Sequence, residues 1–251
     1  TNEFYSLLPF TPTGAQQRAV ADCIEDMQSD RMMNRLIQGD VGSGKTAVAG
    51  AVIYTVIKNG AQAALMAPTE ILATQHFESF KKLFASTDVR VALLTGSVKA
   101  GEKKEIKRAL CNGEIDLIVG THALIQNDVE FENLGLVCTD EQHRFGVQQR
   151  ANLAMKGDNP HLMVMSATPI PRTLGLIIYG DLDISLLDEL PPGRQEIRTD
   201  VVTSAYHKRI YKFIRDAVDR GEQAYIVCSL VDEGESCLLY TSPSPRDKRQ
   251  S

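Results

Sequence analysis

Gly39, Gly44, Lys45 and Thr46 stand in the spacing G-x-x-x-x-G-K-[ST], with Asp40, Val41, Gly42 and Ser43 between the two glycines. A loop of this kind turns its backbone N–H groups around phosphate. Its lysine reaches the β- and γ-phosphates, and its hydroxyl residue ligands Mg2+. Glycine is required because a side chain would hold the backbone away from the anion, and because some positions take φ > 0. A second group that could do chemistry is the acidic pair Asp140-Glu141, which ends an apolar run at 134–139. Beside the loop, Asp140 would organise the metal together with Thr46, and Glu141 would polarise a water in line with the γ-phosphate. That is hydrolysis rather than transfer to a substrate hydroxyl. His143 reads equally as a structural imidazole or as a link from the nucleotide to a neighbouring domain. His122 and His161 share no metal-ligand spacing and read as structural.

These groups need elements to hold them. Leu36 and Ile37 lead into the loop as an apolar strand, and an unbroken helix former follows over 46–58, stopped by Asn59-Gly60. The phosphates would then lie on a helix N-terminus, where the dipole and free N–H groups favour an anion. Apolar runs predict strands over 63–67, 89–94, 116–119, 134–139 and 161–165, alternating with helices over 15–27, 71–84 and 99–110. Residues 1–14 read as loop, and 129–131 is too short to assign. The alternation implies an α/β fold with a parallel sheet, in which ligands collect at the carboxyl ends of the strands. Six polar clusters fall at such ends: 39–46, 68–70, 95–97, 120–122, 140–143 and 166–168. Together they define one working edge. Gln16 opens the helix 15–27, where position alone does not separate a solvated glutamine from a functional one.

The 251 residues suggest one or two domains, and 43% apolar with 24% charged residues is close to a globular average. No apolar run reaches the ~18 residues of a membrane span, and no signal peptide opens the chain. Thr1 at the start suggests that the chain is cut from something longer. Five scattered cysteines without a C-x-x-C pair indicate neither zinc nor a disulfide framework, which fits a reducing cytoplasm. Cys138 and Cys228 lie in apolar runs and read as buried. A net charge of −5 gives no sign of nucleic-acid binding and does not exclude it, since a local groove can bind phosphates on an acidic protein. The expected organisation is a nucleotide-binding lobe over 1–187 and a Pro/Gly linker over 188–200. An incomplete second α/β lobe follows over 201–235, then a non-native or disordered tail over 236–251. In the second lobe, strands are expected at 197–202 and 223–228 around a helix at 205–220.

The order of the phosphate loop, Asp140-Glu-Gln-His143 and Ser166-Ala-Thr168 resembles superfamily 2 helicases and translocases. The longer strings M-A-P-T-E-I-L-A-T-Q-H from 66, D-E-Q-H-R-F-G-V from 140 and S-A-T-P-I-P-R-T-L from 166 are similar to the RecG family of bacterial ATP-dependent DNA helicases. That resemblance runs over about residues 8–235. Transcription-repair coupling factors, which are double-stranded DNA translocases, share Arg144-Phe-Gly-Val147 and Pro169-Ile-Pro-Arg172. Glu141-Gln142 and Pro68-Thr-Glu70 favour the RecG family.

The resemblance implies a RecA-like P-loop NTPase lobe followed by the start of a second one, with ATP and Mg2+ as ligands and Gln16 reading adenine. Pro68, Thr69, Thr95, Gly96, Thr121 and His122 would grip the DNA backbone, because hydroxyls and N–H groups contact phosphates without reading bases. His143, Ser166 and Thr168 would couple the nucleotide to DNA. The implied partners are branched DNA, forks and Holliday junctions, handled by a monomer. The family's wedge domain and the arginine of its second lobe are not matched here, and Arg194 and Arg198 do not replace that arginine. A chain of this extent is expected to bind ATP and to hydrolyse it weakly. A nucleotide-gated DNA-binding module would have no need of Glu141. A P-loop kinase would need an acceptor pocket and a lid, and would have no use for Ser166-Ala-Thr168.

Overall fold

The computed structural model describes residues 2–140, 152–167, 182–189 and 199–227. The chain divides into two units, Thr1–Arg194 and Gln195–Ser251. The first carries α1 (Asn2–Leu7), α2 (Gly14–Gln28), β1 (Asn34–Gly39), α3 (Lys45–Lys58), β2 (Gln62–Met66), α4 (Glu70–Leu83) and β3 (Val91–Leu94). These are followed by α5 (Ala100–Cys111), β4 (Leu117–Gly120), a 3-10 turn (His122–Ile125), β5 (Leu134–Asp140), β6 (His161–Ser166) and β7 (Asp183–Leu187).

The seven strands form one sheet in the order β3-β4-β2-β5-β6-β1-β7, and every pairing is parallel. A parallel sheet carries helices on both faces, so its strands are apolar throughout rather than alternating. Every residue of β2 and of β4 is buried. Successive side chains enter opposite layers. Ala63 and Leu65 pack with Val52, Ile53 and Phe80 on one face, while Ala64 and Met66 pack with Leu110 and Leu124 on the other.

The helices begin where their caps allow. Thr13 and Gln16 form a capping box on α2, and Thr69 Oγ1 accepts from Leu72 N at the start of α4. At α3 no side chain caps the first turn; the N-cap is Gly44, at φ 87°.

Residues 1–14, expected as loop, contain a helix. Phe4 of α1 is fully buried against Tyr54 and Phe84, at ring-centroid distances of 5.9 and 6.3 Å, and a Cβ on Gly50 would lie 2.8 Å from its ring. A six-residue helix has too little propensity of its own to be read from sequence, and tertiary packing holds it. β7 was not anticipated either. It adds to the edge beyond β1, with Leu36 opposite Ile184 and Gly39 opposite Leu187.

In the second unit the described residues form a 3-10 turn (Ser204–Tyr206) and the amphipathic helix α6 (His207–Asp219), as the periodicity over 205–220 predicts. The strand expected at 197–202 is not formed over its described residues, 199–202, and the strand expected at 223–228 is not formed over 223–227. Tyr225 and Val227 are 85% and 93% exposed. A β-prone run becomes a strand only when another strand takes its N–H and C=O groups, and among the described residues none pairs with these. Cys228, Arg194, Arg198 and the expected tail lie outside the described residues.

Candidate nucleotide and nucleic-acid site

The loop leaves β1 at Gly39 and enters α3 at Lys45. Gly42 and Gly44 have φ of 81° and 87°, the left-handed region that glycine occupies without strain. Space demands glycine as well. A Cβ at Gly39 would lie 2.6 Å from Ser43 Oγ and 2.8 Å from Leu187 Cβ, and one at Gly44 would lie 2.2 Å from the Gln16 amide nitrogen. Ser43 is fully buried within the turn, and its hydroxyl has no hydrogen-bond partner among the described residues. Nζ of Lys45 lies over the loop, donating to the carbonyls of Gly39 at 2.6 Å and Asp40 at 2.9 Å. The loop therefore offers a buried hydroxyl, an ammonium and the uncapped N-terminus of a 14-residue helix within one turn. That donor set fits a polyphosphate.

Gln16 is 2% exposed, so the solvated reading does not hold. Its Oε1 accepts from Thr13 N at 3.1 Å and its Nε2 donates to Ser43 O at 2.9 Å, which buckles α2 to the loop. The amide keeps one lone pair and one N–H, enough for one edge of a purine. Gln16 lines a cavity of about 270 Å3 with Phe10, Gly42, Gly44, Lys45 and Thr46. Phe10 is the residue that sequence reading missed here. Its signal was an exposed aromatic within reach of the loop, which only the fold makes visible.

The register aligns the strand ends. Gln38 stands opposite Ser166, Met165 opposite Asp140, Met66 opposite both Thr139 and Gly120, and Gly120 opposite Leu94. The described members of all six clusters therefore share the carboxyl edge. Asp140 lies two strands from the loop, with β6 between, or roughly 10 Å at the usual strand spacing. Glu141, His143 and Thr168 lie outside the described residues.

The strand order also sorts the clusters. Thr95-Gly96, Thr121-His122 and Pro68-Thr69 follow β3, β4 and β2, which are contiguous; Asp140, Ser166 and the phosphate loop follow β5, β6 and β1, also contiguous. In the first half the hydroxyls are mostly engaged. Thr69 caps α4 and Thr95 Oγ1 lies 3.0 Å from Ser97 Oγ, while Thr121 is 3% exposed and its Oγ1 has no hydrogen-bond partner among the described residues. Gly96 and His122 are exposed, so backbone and imidazole face solvent there. Glu70 joins two of these loops by accepting from Ser97 N at 3.2 Å.

A second residue missed from sequence is His76 of α4, whose Nε2 lies 2.7 Å from Asp140 Oδ2. Among the described residues no group of three or more His, Cys, Asp or Glu could hold a metal. The hard oxygens of Thr46 and Asp140 suit Mg2+, which takes few protein ligands and completes its shell with water and phosphate.

The DEAD/DEAH box helicase family matches residues 13–177. The chain belongs to that family. Among curated relatives, the ATP-dependent DNA helicase RecG of Bacillus subtilis is 53% identical over 232 residues, which are 92% of this chain and 34% of that protein. RecG of Thermotoga maritima is 51% identical over 233 residues, covering 93% of this chain and 30% of the relative. The chain thus spans about a third of the length of the curated relatives it matches. A structure of RecG bound to a three-way DNA junction superposes with a TM-score of 0.78 at 48% identity, over 88% of this chain and 30% of that one. A DEAD box protein from Methanococcus jannaschii shares the fold, at a TM-score of 0.54 and 21% identity over 70% of this chain and 50% of the other. The RecA-like α/β fold and the RecG-type resemblance read from the motifs are both met.

Proposed function

We propose that the first unit is the ATP-binding motor lobe of an ATP-dependent DNA helicase of RecG type, acting in the cytoplasm on branched DNA. The observation that carries this reading is the sorted carboxyl edge: a phosphate loop and an aspartate on one half, backbone-presenting loops on the other. Lys45 and the loop N–H groups bind and orient the phosphates, while Ser43 turns its hydroxyl toward them. Gln16 takes the purine edge beside Phe10. Thr46 and Asp140 would hold Mg2+, which when bound neutralises charge on the β- and γ-phosphates. Glu141, next after Asp140, takes a proton from the attacking water. Ser166, at the end of the strand between Asp140 and the loop, stands where movement at the nucleotide can pass to a neighbouring element, together with His143 and Thr168. On the other half, the loops at Pro68-Thr69, Thr95-Gly96 and Thr121-His122 hold the phosphodiester backbone without reading bases, as a motor that moves along any sequence requires. An acidic protein can do this because backbone N–H groups and helix starts supply the positive potential locally.

E141Q tests the reading in the full-length protein that carries this segment. Its amide keeps the shape and loses the base. The variant is expected to bind ATP at least as tightly as the parent and to lose DNA-stimulated phosphate release by 10²-fold or more. Unchanged turnover would remove the hydrolytic assignment and favour a nucleotide-gated binding module.

A further inference from the structure

The two halves of the working edge meet between β2 and β5, and one side chain crosses that line. α4 follows β2, on the nucleic-acid half, and Asp140 ends β5, on the nucleotide half. His76 reaches from one to the other, Nε2 to Oδ2 at 2.7 Å, with 11% of the imidazole and 18% of the aspartate side chain exposed. The contact is held from behind. The His76 ring stacks on Phe80 (6.4 Å, 23°), Phe80 on Phe84 (5.9 Å, 16°) and Phe84 on Tyr54 (5.8 Å, 20°). Phe80 and Phe84 are buried in the core, so the imidazole is the outer end of a fixed aromatic column. A histidine on an apolar helix face usually satisfies the core. This one instead directs a nitrogen at the aspartate assigned to the metal.

We infer that His76 is a positioning residue for Asp140: its Nε2–H holds Oδ2 and leaves Oδ1 to face the phosphate loop. The inference rests on the proposed reading of Asp140 as the metal-organising carboxylate. An ionised carboxylate accepts and does not donate, so Nε2 carries the proton in this pair. One oxygen fixed by a donor restricts the carboxylate to a single orientation, which is how an outer partner tunes a metal ligand. The same geometry makes α4 a mechanical connection. Its first residue, Glu70, takes the N–H of Ser97 in the loop after β3, and less than two turns later His76 takes Asp140. A shift of α4 driven from the nucleic-acid loops would therefore be felt at the aspartate.

The test uses Mn2+ as the probe and a non-hydrolysable ATP analogue, with free Mn2+ read by electron paramagnetic resonance on the purified chain. H76F keeps the stacking ring and loses the donor, while H76Q returns an amide N–H. H76F is expected to weaken Mn2+ binding in the presence of the analogue by about tenfold or more. Affinity for the analogue in EDTA should not change, and H76Q should recover most of the loss. Wild-type Mn2+ affinity in H76F would overturn the assignment. Equal losses in H76F and H76Q would overturn it too, since ring packing rather than the donor would then be responsible. Nitrogen-15 spectra of the unsubstituted protein decide the case where H76F fails to fold: a protonated His76 Nε2 is expected, and a bare Nε2 overturns the inference. If the unsubstituted chain binds the analogue neither with nor without Mn2+, the nucleotide reading itself falls, which is a different result from any of these.

Discussion

The phosphate loop is sharply specified because two independent constraints meet at single atoms. Gly44 combines a left-handed backbone with contact against the Gln16 amide, and Gly39 combines closeness to Ser43 with closeness to Leu187. G44A therefore places a Cβ where φ is 87° and where Gln16 Nε2 would be 2.2 Å away. The left-handed conformation alone costs about 1–2 kcal/mol for a non-glycine residue, and the displaced Gln16 loses its bond to Ser43 O. The variant is expected to lower the unfolding midpoint by several degrees and to lose affinity for ATP, measured by thermal melts and titration of a fluorescent analogue. A stable variant with parental affinity would show that the loop does not take this conformation when it binds. The placing of the loop and of Asp140 at strand ends was legible from spacing alone. The contacts of Phe10, Gln16 and His76 were not: each depends on a neighbour 27 to 64 positions away, and no local pattern encodes that distance. For the threonines, the family resemblance implies hydroxyl contacts to DNA, whereas the fold has Thr69 capping a helix and Thr121 buried.

At the scale of elements, long apolar strands and periodic helices were readable because burial on both faces leaves an unbroken apolar signal. α1, β7 and the absence of strands over 199–202 and 223–227 were not readable. The first two are short, and all three depend on what lies against them. The opposite edge of the sheet carries a testable consequence of such packing. His161 starts β6 half-buried, and its Nδ1 accepts the N–H of Met33 at 3.0 Å, joining the α2–β1 connection to the sheet. Burial holds this imidazole below its ordinary pKa of 6.5, against a smaller opposing pull from Asp26. Accepting through Nδ1 also requires the neutral ring. A folded pKa below the unfolded one means that the unfolded chain binds the extra proton first. The contribution is thus complete above about pH 6.5 and is lost as the pH falls through the depressed folded value. Urea unfolding at pH 7.5 and pH 5 should show a larger fall in midpoint for the parent than for H161N, whose amide oxygen can still accept from Met33. Equal falls would mean that His161 titrates alike in both states.

Across the first unit, a single parallel sheet separates the phosphate loop, Asp140 and Ser166 from the backbone-presenting loops by strand order, although in sequence the second set lies between members of the first. β7 bears on where the first unit ends. Asp188 and Glu189, expected to open the linker, pair with Arg18 at 3.0 and 3.2 Å, but all three side chains are at least 43% exposed and such pairs contribute about 0–1 kcal/mol. The firmer anchor is β7 itself, hydrogen-bonded to β1 and burying Leu187 against the loop. The described residues of the first unit thus run through β7 to Glu189, and the division between the units falls at Arg194/Gln195. Limited trypsin digestion should cut first after Arg194 or Arg198 and leave an N-terminal product that contains β7 and keeps the parental affinity for ATP. First cuts within 1–187, or a product of the expected size that no longer binds nucleotide, would place the boundary elsewhere and deny that the seven-stranded sheet is a self-sufficient unit.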